Sequence, residues 1–411
     1  MESYMKSNQG CRGSVLPLAV VLILVLLFVG LGLLQLGYNT RMRAIRTTAV
    51  FSARAAADAG FVEAVRIMKA NFAGGIGSLP ASSATFDESY SGASYNYVTT
   101  YDANSGSYHI DSTGTAGIAT RTVHTILGKR SSWFGIGVKD TLDFKVNCVL
   151  GTVPEGGPLV VRTNDNEPGD IILRQGVTIP GDVIVGPGIN SPNEVIVTKH
   201  NSDIEGKTYI DEPILFRDVD APNNLPVVNW SSVVPDVNGN VSVLTSTQYD
   251  TILLSPSIEK LVVTGSGVQI YVTGDMKIFN GNALVVTGGS SLELYIGGQF
   301  IADYGSLITN ENVVSSPPTD AEIEAAALSL ALYGLPSCDS IVIKNSGDFY
   351  GGIYAPDADI IMMNDGDVYG AIVGNSLEIK NSGEFGYVSK LGDPNLTNVP
   401  THLAVNRWWE D

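Results

Sequence analysis

Three acidic side chains, Asp348, Asp367 and Glu384, follow glycines in three similar rows, IVIKNSGDFYGGIYA, IIMMNDGDVYGAIVG and LEIKNSGEFGYVS, at offsets of 19 and 17 residues. Stacked as strands, the rows would place the carboxylates about 5 Å apart. Like charges that close repel unless solvent, a basic group or a cation relieves them. The donors at hand are carboxylates, Asn amides and backbone carbonyls, a set that suits calcium better than zinc. A solvated acidic ridge is the plainer outcome of the same alignment.

Other chemistry has less to stand on. The four histidines, His109, His124, His200 and His402, show no metal-ligand spacing. There is no G-x-S-x-G, no phosphate-binding loop and no dinucleotide fingerprint. Three cysteines, Cys11, Cys148 and Cys338, form no C-x-x-C pair. A Cys148–Cys338 disulfide is open to an exported domain, and unpaired thiols are the alternative. Cys11 precedes the long apolar run, so it is no lipoprotein acylation site. The reading is of a protein that is not an enzyme.

The rows that would position the acids are repeats. Leu261-Val262-Val263-Thr264-Gly265 recurs as Leu284-Val285-Val286-Thr287-Gly288, and the QIYVTG segment starting at Gln269 is echoed from Glu293, so the period is 23 or 24 residues. In the second array Ile341, Ile343 and Phe349 align with Ile360, Met362 and Val368 and with Leu377, Ile379 and Phe385, as inward apolar columns. Asn345-Ser346-Gly347, Asn364-Asp365-Gly366 and Asn381-Ser382-Gly383 then fall at a corner, where Asn and Gly tolerate positive φ. These periods fit the coils of a β-solenoid; a β-sandwich with similar hairpins is the alternative. TDAEIEAAALSLALY, residues 319–333, predicts an inserted helix.

Before the repeats, SYNYVTTY and SYHIDSTG are joined by a turn at 102–106, and IATRTVHTIL follows, which predicts a small antiparallel sheet over 94–127. Upstream, Ser14 to Gly37 carries no charge and is long enough to span a bilayer. Phe61, Val65, Met68 and Phe72 make an apolar stripe beyond it. One helix from Val15 to Phe72 would be roughly 85 Å long, its first half in lipid and its second half against the sheet.

Charge is divided unevenly. Of 24 basic and 42 acidic residues, net −18, residues 1–72 hold eight Lys/Arg against Glu2, Asp58 and Glu63, which leaves 16 basic and 39 acidic groups, net −23, in residues 73–411. A domain so acidic repels phosphate backbones, which argues against nucleic acid as a partner. Lys6 and Arg12 flank one side of the apolar run and Arg41, Arg43, Arg46 and Arg54 the other. Charge alone favours the reverse of the exported orientation, although large domains translocate with little regard to such charges.

Cys11-Arg12-Gly13-Ser14 before the apolar run, with Ala55-Ala56-Ala57-Asp58-Ala59-Gly60 near the helix end, resembles the N-terminus of PilX-like minor pilins over about 70 residues. The resemblance implies a leader cut by a prepilin peptidase after Gly13 or Gly10, packing with other pilin-like subunits, and a single pass through the bacterial inner membrane with the C-terminal domain in the periplasm or outside the cell. After a cut at Gly13 the fifth residue is Leu18, where major pilins have Glu; that suits a filament tip, or a protein that never enters a filament. GGIYAPDADI and GAIVG, within 341–391, resemble a bacterial domain of unknown function that follows PilX-like N-termini.

The expected layout is α+β: a leader or cytoplasmic segment at 1–13, the helix at 14–72 with lipid around 14–37, a small sheet at 73–130, a mainly-β repeat domain at 131–393, and a tail at 394–411. The expected role is a membrane-inserted pilin-like subunit whose acidic head serves adhesion or assembly, with polysaccharide or a surface protein as ligand. β-Solenoid polysaccharide lyases also set clustered acids beside calcium, but they need a nearby base, and Lys344 and Lys380 alternate outward. A self-assembling envelope scaffold is the third reading.

Overall fold

The computed structural model describes residues 15–73, 79–86, 92–146, 148–157, 159–344, 346–363, 366–380, 383–394 and 400–411. Helix α1 runs from Val15 to Ala73 without a break. Its first half is rich in Leu and Val, and those side chains are exposed: Leu16, Phe28 and Leu34 are 75%, 70% and 72% accessible. So large a bare apolar surface on one helix needs a cover other than water. Among the described residues one helix is long and apolar enough to cross a membrane, which fits a single-pass membrane protein.

The second half of α1 packs on an antiparallel sheet of β1 (Ser82–Phe86), β2 (Ala93–Asp102), β3 (Ser107–Ala116), β4 (Ala119–Ser131) and the C-terminal strand Thr401–Glu410, in that order. Asp102 faces Ser107 across the expected turn. Val65 and Met68 are buried with Tyr97, Ile110, Leu127 and Leu403, while Phe61 and Phe72 lie half-buried at the margin of that cluster. The closest approach is made by small residues. Ala53, Ala56, Ala57 and Gly60 are buried against β2 and β3, and the buried hydroxyl of Ser112 donates to the Ala57 carbonyl at 2.7 Å. β1 extends the sheet upstream of 94–127. One expectation is corrected here: the supposed tail is a fifth strand, held along β4 from Thr401↔Ser131 to Glu410↔Val123.

The rest of the chain is built on parallel ladders, a 22-stranded sheet and a 4-stranded sheet. The repeats pair in the register read from sequence: Leu261↔Leu284 and Val263↔Val286, then Gln269↔Glu293 and Tyr271↔Tyr295. In the second array Ile341↔Ile360↔Leu377, Ile343↔Met362↔Ile379 and Phe349↔Val368↔Phe385 all align, and all nine side chains are buried. The corner residues Asn345, Asn364, Asp365, Asn381 and Ser382 lie outside the described residues.

The order of the rows is not the order of the chain. One ladder climbs from Val227–Val228 through Thr247–Tyr249, Val268–Val272, Leu292–Ile296, Leu330–Gly334 and Phe349–Met362 to Val368–Ile379. It then continues onto Gly135–Val138, Val160–Thr163, Asp182–Val185 and Thr208–Ile210. The chain therefore enters this domain in the middle of the stack, and residues 211–226 lead back to its far end. That return segment is tied down on the way. Asn164 and Ile214 exchange two hydrogen bonds of 2.8 and 2.9 Å, Phe216 sets its edge to Tyr354, and the Tyr354 hydroxyl donates to the Arg217 carbonyl at 2.8 Å.

Helix α2 spans Asp320–Ser329 and starts in a capping box in which Thr319 and Glu322 satisfy each other's backbone amides. It stops four residues earlier than the sequence suggested, because Leu330–Gly334 is taken into the parallel ladder beside Leu292–Ile296. Cys148 and Cys338 are free, buried thiols. This decides against the possible disulfide and for the unpaired thiols: Cys338 precedes the strand Ser340–Ile343 and Cys148 follows Leu142–Phe144, three ladder steps away. Three steps are about 14 Å, twice the span that a disulfide can bridge.

Candidate functional site

The parallel register brings Asp348, Asp367 and Glu384 into one column. Their carboxylates are used within it. Asp348 Oδ1 accepts the backbone N–H of Asp367 at 2.9 Å, and Asp367 Oδ1 accepts that of Glu384 at 2.8 Å. Tyr350 donates its hydroxyl to Asp348 Oδ2 at 2.9 Å and Tyr369 donates to Asp367 Oδ2 at 3.4 Å, with the two rings stacked at 5.3 Å. Burial, with Asp367 and Glu155 nearby, raises the Glu384 pKa. Asp348 and Asp367 thus each clip the next row, and amide and phenol donors offset much of the repulsion. Replacing Asp367 by alanine is expected to leave the Glu384 amide without its acceptor and cost about 1–3 kcal/mol. A denaturant midpoint equal to wild type would show that the clip contributes nothing.

The two lysines beside this column are engaged elsewhere. Lys344 lies over the Tyr304 ring at 5.4 Å, and Lys380 pairs with Glu378 at 2.9 Å. Among the described residues neither forms an ion pair with Asp348, Asp367 or Glu384.

A second acidic cluster was not picked out from sequence. Asp140, at the end of Gly135–Val138, meets Asp165 and Asp170 from the next row, with one carboxylate oxygen of each within 4.8 Å of the others. The signal was the segment TNDNEPGD, residues 163–170, whose acids lack the repeat pattern that marked the first column. Asp170 is buried, and its Oδ2 accepts the N–H of Glu167 at 2.6 Å. Burial first, then Asp165, Asp140 and Glu167, push its pKa up to about 6. Three carboxylates in such a corner are an oxygen donor set of the kind that holds a hard cation.

The sign of the pH effect follows. A carboxyl raised in the folded state contributes its stability below the unfolded pKa near 4 and loses it as pH rises through about 6. Asp170→Asn keeps an acceptor for Glu167 and removes the charge. It is expected to raise stability at pH 7.5 by roughly 1–3 kcal/mol and to flatten the profile between pH 4 and 6. Thermal melts across that range, with calcium and with chelator, check this; a variant that melts lower at every pH would make the ionised carboxylate a stabilising group.

Two histidines are held by the C-terminal strand. His124 lies between Asp111 and Asp411, at 2.7 and 2.9 Å, and stacks on Trp409. His402 faces an inter-domain cleft. The leader candidates Gly13 and Gly10 lie outside the described residues, as does Cys11.

Residues 257–393 match a family described as a domain of unknown function, DUF7305. The match starts well before the 341–391 stretch in which the sequence resemblance was seen. No curated protein matches the chain. Among solved structures, the competence-associated pilin ComZ from Thermus thermophilus aligns over 89% of this chain and 97% of its own at 11% identity and a TM-score of 0.21, a likeness too loose to relate the folds.

Proposed function

We propose that the chain is a minor-pilin or pseudopilin-like subunit that stands in a membrane or filament on α1 and presents an acidic β-solenoid for adhesion or assembly. The observation that carries this reading is the division of α1. Its first half leaves Leu16 to Leu36 bare, and its second half is buried against an antiparallel sheet that the two ends of the folded chain build together. Such a helix is made to enter two environments. The parallel ladders and their 23–24 residue register support coils of a solenoid, and the role is structural or adhesive, not catalytic.

Under this reading a prepilin peptidase processes the N-terminus after Gly13 or Gly10, and the domain faces the periplasm or the medium. Imaging of cells and sheared filaments with an antibody to residues 135–411 tests it. Label at filament tips or along shafts is expected; label confined to the envelope of cells that carry filaments would leave a plain membrane anchor. N-terminal sequencing of the membrane-derived protein is expected to start at Ser14 or Cys11, and an intact Met1 would remove the processing step.

A further inference from the structure

A cleft of about 570 Å³ lies where the end of α1, the head sheet and the repeat domain meet. That volume is within the range of small-molecule sites. Phe72, Phe134, Ile184 and Leu215 give it apolar walls, and Lys69, Arg130, Arg162 and His402 converge on it, in a chain of net charge −18.

The cations are not equally satisfied. Arg162 is only 4% exposed; Nη1 donates to Asp211 Oδ2 at 3.1 Å and Nη2 to the Glu212 carbonyl. Its buried Nε–H has no acceptor among the described residues. Lys69 is paired with Glu212 at 2.7 Å. Arg130 reaches no carboxylate among the described residues and has a contact of 3.4 Å with the Asn406 amide oxygen. The cleft thus holds one cation without a counter-charge and one buried donor without a partner. A buried donor left unmade destabilises the fold, and a carboxylate oxygen is the acceptor that forms the stronger, charge-assisted bond with guanidinium. Asp211 and Glu212 on the same rim count against a dianion, and the apolar walls count against a bare inorganic ion.

We propose that this cleft binds a monocarboxylate with an apolar body, its charge set toward Arg130 and Arg162. The ligand would bridge the head and the repeat domain, since Arg130 belongs to β4 and Arg162 to the strand Val160–Thr163. His402 reports on the site. Burial, with Arg162, Lys69 and Arg130 around it, presses its pKa down to about 4. An anion in the cleft would offset those cations and move the titration upward.

The experiment uses the full chain in lipid nanodiscs with benzoate and its neutral isostere benzamide, followed by calorimetry and by the imidazole resonance of His402. Benzoate is expected to bind at least about tenfold more tightly than benzamide, a preference of roughly 1.4 kcal/mol, and to raise the His402 pKa. Arg130→Gln, at an exposed position, is expected to lose that preference with an unchanged melting midpoint. Equal binding of the two probes overturns the proposal, as does no benzoate binding at about 10 mM, where even a millimolar site would fill. Benzoate binding that survives Arg130→Gln in full places the anion elsewhere and also overturns it.

Discussion

Replacing Gly114 by valine is expected to separate the long helix from the head sheet. Gly114 sits in β3 under α1, where a Cβ would fall inside contact distance of the backbone of Ala53 and Ala57. Backbone cannot rotate away as a side chain can, so the cost is expected to exceed the 1–3 kcal/mol typical of an overpacked core. The helix would have to lift off, which would also expose Val65 and Met68 and break the Ser112 bond to the Ala57 carbonyl. Limited proteolysis of the chain in nanodiscs checks this. Cleavage is expected within residues 53–72, protected in wild type, with the repeat domain left resistant. A variant with wild-type protection would mean that the helix can be spaced from the sheet at little cost.

Phe385→Ala is expected to have the second large effect, and its value lies in where the damage spreads. Phe385 is 1% exposed and stands in register with Val368 on one side and Leu150 on the other. It belongs to the row in which the last repeats, 368–388, lie on the first strands of the domain, 135–153. Truncating a buried Phe costs about 3–5 kcal/mol. If the two parts of the stack form one core, a single unfolding transition is expected to move to lower denaturant. Two transitions, with only one of them moved, would show that residues 135–210 and 227–388 fold as separate units.

Much of this fold was legible in the sequence, for reasons that differ by element. The apolar run without a charge dictated a long helix, since a segment of that length and hydrophobicity has few other stable states. The strands β2 to β4 were marked by alternation and by turn residues at 102–106. The repeats carried their own register: side chains alternate with period 2, so a one-residue slip would turn Leu261, Val263, Leu284 and Val286 outward. The alignment of Asp348, Asp367 and Glu384 followed from that register; the backbone amides and the Tyr350 and Tyr369 hydroxyls that the aspartates accept did not.

Other features are set by contacts between residues distant in the chain, and these left no local mark. The alanines of α1 read as helix formers; only the approach of Gly114 and Ser112 makes Ala53 and Ala57 the tightest point of the head. Thr401–Glu410 alternates too weakly to declare a strand, and it becomes one because β4 offers an unpaired edge. Asp140 meets Asp165 and Asp170 through a ladder step, and Arg130 and Arg162 line one cleft from two parts of the fold. Composition and periodicity therefore determined the membrane-length helix, the head sheet and the register of the repeats, because those depend on local backbone preference and on which face is apolar. Tertiary structure alone decided where the chain enters the stack, that Asp140 joins Asp165 and Asp170, which cations line the cleft, and that Cys148 and Cys338 stay apart, because these depend on the order in which rows stack, to which a repeat of near-identical rows is blind.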